Sequence, residues 1–266
     1  MRITLNHQTR YVYEAPSSYS IQTLKMTPSS FTGQKVHSWA IDVPGIDRSS
    51  KFRDACGNLV HLVDQPGEHS ELVITVRGDV ETTDTHGVVR GLAEQAPPRV
   101  FLRFTRQTEA DDAIRDLAAS SGGKDRLARL HDLSHRVRNA LEYRTGSTAA
   151  HTTGAEALGA GEGVCQDHAH IFIAAARHLM IPARYITGYL VTDDQADAHH
   201  AWAEAFVENL GWVGFDVANR VCPTENYVRL AAGLDAAHAA PVKGSRRGGG
   251  AETLDVRVQV EQSSNQ

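Results

Sequence analysis

Three side chains of this sequence have the chemistry for acyl transfer: Cys165, His200 and Asp216. A thiol attacks a carbonyl, an imidazole takes and returns the proton, and a carboxylate orients the imidazole. Cys165 lies in Gly161-Glu162-Gly163-Val164-Cys165-Gln166-Asp167, after a glycine-bearing turn and just before the apolar run HAHIFIAAARHLM. A helix that starts there turns its positive end toward the thiol and favours the thiolate. The N–H groups of Cys165 and Gln166 are free in a first helical turn and can hold a developing oxyanion. Most free cysteines are small buried hydrophobes. Only this local context argues for a nucleophile here.

His199 and His200 open a strand-like run, HHAWAEAFVE. Strand alternation puts His200, Trp202, Glu204 and Phe206 on one face, and His199, Ala201, Ala203 and Ala205 on the other. The two histidines therefore point apart, and only one can be the base. The alanine face implies that a helix or a substrate comes close. Asp216 ends GWVGF, a return strand after the turn at Asn209-Gly211. An aspartate in a strand is unfavourable without a partner. The hairpin carries it back toward His199-His200, and Asn219 is the substitute orienter if the register slips.

The elements that must position these groups follow from periodicity. Ile3, Leu5, His7, Thr9 and Tyr11 alternate with polar residues, as do Leu72, Ile74 and Val76, so residues 1 to about 85 read as all-β. Pro44-Gly45, Gly57-Asn58 and Pro66-Gly67 read as turns, and Asp54 with Gly57-Asn58 as a tight turn joining two strands. The Gly- and Pro-containing stretch from Thr85 to Pro98 marks the boundary between an N-terminal β domain (1–90) and a catalytic domain (91–266). In the second part, Ala110–Ala119 reads as a helix ended by Gly122-Gly123. Lys124–Tyr143 carries Leu127, Leu130, Leu133, Val137 and Leu141 at helical spacing. His131 and His135 fall on its solvated face. Thr153 caps a short helix through Ala157-Leu158. The Cys165 helix stops at Pro182. A strand from Ala183 to Thr192 follows, then a polar loop from Asp193 to Asp197. Residues 241–250 (PVKGSRRGGG) read as a loop, and Leu254, Val256, Val258 and Val260 as one face of a last strand. The fold class is α+β.

The blocks GEGVCQDHAHIFIAAARHLMIPARYITGYL, HAWAEAFVENLGWVGFD and PTENYVRLA resemble the bacterial transglutaminase-like family. The resemblance runs from about Leu141 to about Gly250 and extends at lower specificity over the first 85 residues. It implies a papain-like cysteine core, a helix bearing the cysteine packed on an antiparallel sheet, behind an N-terminal β domain. It places the family's catalytic residues on Cys165, His200 and Asp216, and it selects His200 over His199. Two segments depart from the family pattern. Gly233-Leu234-Asp235-Ala236 replaces a Gly-Arg-Asp sequence followed by a tyrosine. Val217-Ala218 stands where Pro-Thr commonly follows the aspartate, and Pro223-Thr224 comes later.

Composition sets the frame. The chain has 266 residues, 41% apolar and 22% charged, with net charge −5 and no basic stripe of the kind that tracks nucleic acid. Cys56, Cys165 and Cys222 are too few and too far apart for a disulfide framework. No stretch is long and apolar enough to span a bilayer, and the N-terminus has no signal-peptide core. The expectation is therefore a cytoplasmic protein, with no membrane or nucleic-acid partner, acting on a peptide or protein substrate without metal or cofactor. Two rival readings use the same residues. One is a metal site drawn from Cys165, His168, His170, His199 and His200. The other is a binding module on the same fold that does no chemistry.

Overall fold

The computed structural model describes residues 1–94, 96–192 and 199–262. Two antiparallel sheets dominate it. The first is built from β1 (Arg2–Thr27), β2 (Gln34–Asp42), β3 (Ser50–Arg53) and β4 (Leu59–Thr82). In β1, Ile3, Leu5, His7 and Thr9 are buried while Arg2, Thr4 and Asn6 are exposed, as the alternation requires. β4 pairs with β1 along nearly its whole length, and β2 and β3 pair with β4. The turn expected at Pro66-Gly67 is instead a bulge within β4. Ser17 pairs with His69 but Tyr19 pairs with Pro66, so β4 carries one extra residue there.

The second half begins with β5 (Val88–Val89), α1 (Asp112–Ser120) and α2 (Arg126–Ala140). Asp111 and Asp125 cap the two helices through Ile114 N–H and Ala128 N–H. α2 stops earlier than its leucine stripe suggests. Leu141 is extended and buried, and β6 (Glu142–Tyr143) pairs in parallel with β7 (Glu162–Gly163). Between them lies α3 (Gly154–Ala160), capped by Thr153 with Glu156 answering in a capping box. α4 (Cys165–His178) follows, then β8 (Ala183–Leu190), β9 (His199–Val207), β10 (Gly211–Phe215), β11 (Tyr227–Gly233) and α5 (Ala236–Ala239). The second sheet has the order β11-β8-β9-β10-β5. The polar loop read over Asp193 to Asp197 lies outside the described residues.

The chain ends in the first sheet. β12 (Val242–Gly248) and β13 (Glu252–Gln262) both pair with β1 on the side away from β4. Residues 241–250, expected as a loop, are therefore mostly strand. These last strands, assigned from the sequence to the second domain, hydrogen-bond to the first sheet.

Two apolar layers tie the parts together. One lies between α1–α4 and the alanine face of β9, with Ala201, Ala203 and Ala205 against Phe172, Ala175 and Ala176. The small side chains let a helix sit close to the sheet, which answers the question the alternation raised. The other joins the two sheets: Ile3, Leu24, Met26, Ile74 and Val76 pack with Tyr189, Val228, Leu230 and Ala231. A buried ion cluster lies beside these layers. Glu204 is held between Arg184 (2.7 Å) and Arg229 (2.9 Å), and Arg184 also reaches Glu94 (2.7 Å). Removing one member of such a cluster typically costs about 3–5 kcal/mol, because an uncompensated charge stays buried.

Candidate active site

Cys165 is the first residue of α4. Gly161 ends α3 with φ 74°, a left-handed turn that favours glycine. Gly163 is needed for a different reason: a Cβ there would meet the Asp167 side chain at 2.8 Å. Asp167 closes the start of the helix. Its Oδ2 accepts the Val164 N–H at 2.9 Å and the Thr148 hydroxyl at 2.6 Å. The cysteine is thus fixed by a glycine turn on one side and a capping carboxylate on the other. The N–H groups of Cys165 and Gln166 have no helical carbonyl one turn before them.

His200 is the second residue of β9 and is buried. Its Nε2 lies 2.7 Å from Asp216 Oδ2, and Cys165 is its second hydrogen-bond partner. Burial opposes a charge on this ring. The hydrogen bond to Asp216, with that from Cys165 and the charges of both, outweighs burial and raises the His200 pKa to about 10. His199 faces the other way. Its Nε2 is 3.1 Å from Thr187 Oγ1, and its ring lies near those of His7 and Tyr189.

Asp216 is fully buried just past β10, at the start of a turn closed by its backbone bonds to Val221. It therefore lies one residue past the strand in which it was expected, in a bridge that closes the turn. Its Oδ2 accepts from His200, from Asn219 Nδ2 (2.7 Å) and from the Tyr227 hydroxyl (2.7 Å), while Oδ1 takes the Asn219 N–H (3.2 Å). Burial disfavours the carboxylate charge, but these donors hold its pKa below the ordinary value. Asn219 is thus a partner of Asp216 and does not replace it at His200, because the register brings Asp216 to the imidazole.

Tyr227 was not singled out from the sequence. Only its place in an alternating strand beside the hairpin, NYVRLA, hinted at it. Arg177 was missed too, in a helix read as apolar. It is buried, and its guanidinium bonds the carbonyls of Phe101, Ala183 and Leu234 and the Thr108 hydroxyl. The family departure at Leu234–Ala236 falls where Asp235 caps α5, accepting the His238 N–H at 2.7 Å.

The proposed metal ligands do not converge. His168 Nδ1 bonds the Val164 carbonyl, His170 Nε2 accepts the Ala236 N–H, His199 faces Thr187 and His200 faces Asp216. Among the described residues no group of His, Cys, Asp or Glu is arranged to hold a metal ion. Helical and strand directions spread these side chains apart. His131 and His135 are exposed on α2, as read.

Comparison with known proteins agrees with this architecture. Residues 115–217 match the transglutaminase-like superfamily, and residues 3–81 match the bacterial transglutaminase-like N-terminal region. An uncharacterized protein of Mycobacterium leprae is 33% identical, over 97% of this chain and 98% of its own. Uncharacterized proteins of Mycobacterium bovis and Mycobacterium tuberculosis are 31% identical, over 91% of this chain and 87% of theirs. A solved structure from Cytophaga hutchinsonii, assigned as a cysteine protease, shares the fold with a TM-score of 0.78 at 23% identity, over 100% of this chain and 92% of that one. The chain therefore belongs to the transglutaminase-like superfamily, in the bacterial group that joins its core to this N-terminal region.

Proposed function

We propose that the protein is a cysteine-dependent acyl-transfer enzyme acting on a peptide or carboxamide bond, with Cys165 as nucleophile, His200 as proton carrier and Asp216 as orienter. One observation carries this reading: a single buried imidazole stands between a carboxylate and a thiol at a helix start.

The chemistry follows from the geometry. His200 holds the thiol proton, and the Cys165 thiolate adds to the carbonyl carbon. The oxygen becomes an oxyanion, held by the N–H groups of Cys165 and Gln166. The tetrahedral species collapses, the C–N bond breaks, and His200 gives its proton to the leaving nitrogen. A thioester on Cys165 remains. Water or a primary amine then attacks it, losing a proton to His200, and the thiolate leaves. Water gives hydrolysis and an amine gives a new amide.

Mass spectrometry of peptide mixtures incubated with the enzyme, with and without a primary amine, tests the proposal. Products that shift by hydrolysis or by amine incorporation, and vanish in Cys165→Ala, support it. Products that persist in Cys165→Ala refute it.

A further inference from the structure

The N-terminal sheet grips the catalytic sheet mainly along β11. Gln34 binds both backbone groups of Arg229: its Oε1 accepts the N–H at 2.7 Å and its Nε2 donates to the carbonyl at 2.9 Å. Asn58 does the same to Ala232, at 2.8 Å each way. The Thr82 hydroxyl donates to the Glu225 carbonyl. These clamps flank one side chain that points toward the site. Tyr227 is buried, its ring packs edge-on against Trp202 (5.5 Å) and His200 (6.1 Å), and its hydroxyl lies 2.7 Å from Asp216 Oδ2.

Three donors on one oxygen leave that oxygen little charge to spare. Each donor shares the negative charge that His200 would otherwise feel alone. The phenol and the Asn219 amide both bond Oδ2, and together they resist rotation of the carboxylate away from the imidazole. We infer that Tyr227 is a positioning residue, held in place by the N-terminal sheet, which sets how firmly Asp216 binds the proton on His200. This rests on the reading of Cys165 and His200 as nucleophile and proton carrier. It also gives the first sheet a task in the chemistry: it anchors the strand that carries the phenol.

The test compares three full-length proteins: wild type, Tyr227→Phe, and a form with 3,5-difluorotyrosine at position 227, a stronger donor. Two measurements are made: alkylation of Cys165 by iodoacetamide, and the pH profile of kcat and KM on a peptide substrate. In Tyr227→Phe, kcat should fall about ten-fold with KM nearly unchanged, the size of effect expected from one hydrogen bond to a charged group. Its alkaline limb, where His200 loses its proton, should move up by about 0.5 pH, because Asp216 then holds that proton more tightly. The fluorinated form should move the same limb down. Unmoved limbs, or shifts in the same direction in both forms, would overturn the assignment of Tyr227. Failure of Cys165 to alkylate in the wild type would instead overturn the underlying reading of the site, so the two failures are distinct.

Discussion

Two polar clusters lie on opposite faces of β9, and each buries a histidine between polar neighbours. On one face, His200 meets Asp216 and Cys165. On the other, His7 bonds the Tyr189 hydroxyl at 2.8 Å and Thr9 Oγ1 at 2.9 Å, close to His199. Burial works against charge in both. Without a carboxylate, burial and the neighbouring His199 push His7 down to about 4. With Asp216 in place, His200 rises to about 10. His170 on α4 behaves like His7: it is buried, Asp235 is too weak a counterweight, and its pKa falls to about 4. A buried imidazole therefore keeps its proton near neutral pH only where a hydrogen-bonded carboxylate offsets its desolvation.

The comparison breaks most visibly at the two adjacent histidines. His200→Ala should lower turnover by about 10³-fold or more, the scale of a lost general acid–base group. His199→Ala should keep turnover within a few-fold, since it serves the other cluster. Steady-state kinetics on a peptide substrate reads both. A dead His199→Ala beside a working His200→Ala would put the base on the wrong face.

Asp216→Asn comes next. It should turn the His200 cluster into one like that of His7, with the imidazole no longer held charged. Turnover should fall by roughly 10–10³-fold. For a serine triad the corresponding change costs about 10⁴, and a thiol with its own imidazole depends less on the third member. Asn219→Ala removes one donor from Asp216 and should cost only a few-fold. Kinetics together with melting temperature separate a catalytic loss from a folding loss. Unchanged turnover in Asp216→Asn beside a dead Asn219→Ala would transfer the orienting role to Asn219.

Thiol labelling draws the same contrast more gently. Burial raises Cys56 to about 11 and also pushes Cys222 upward. Neither sits at a helix start. Iodoacetamide at mildly acidic pH should therefore label Cys165 first, and peptide mapping reads the ratio. Equal labelling of all three would remove the distinction.

The smallest effect concerns stability. His7 and His170 bind protons less readily folded than unfolded, so the unfolded chain gains protons first as pH falls. Stability should be full above about pH 6.5 and decline as pH falls toward 4, by about 1–2 kcal/mol for each of the two at pH 5. His200 runs the opposite way: its contribution is full below about pH 6.5 and is lost as pH rises through about 10. Urea melts at pH 5, 7 and 9.5 measure both slopes.

Much of this was legible in the sequence because it repeats with a period. The alternation in β1 and β9, the stripe of α2 and the cap at Thr153 all follow from local rules. The pair His200 and Asp216 was readable because one tight hairpin joins them. What escaped has no local signal. β12 is Gly-rich and basic with mostly exposed side chains, and becomes a strand only because β1 offers a free edge. Asn58 was read as a turn residue, correctly, but its grip on Ala232 spans the two sheets. Tyr227 and Arg177 find their polar partners across the fold, and no spacing rule reaches that far.

The most direct test of the central claim is the acyl-enzyme itself. The protein is mixed with an activated peptide ester, quenched in acid within the first turnover, and analysed by intact-mass and peptide-mapping mass spectrometry. The expected result is one acyl group on Cys165, labile to hydroxylamine and absent from Cys165→Ala. An acyl group on another residue, or ester turnover that continues unchanged in Cys165→Ala, would contradict it.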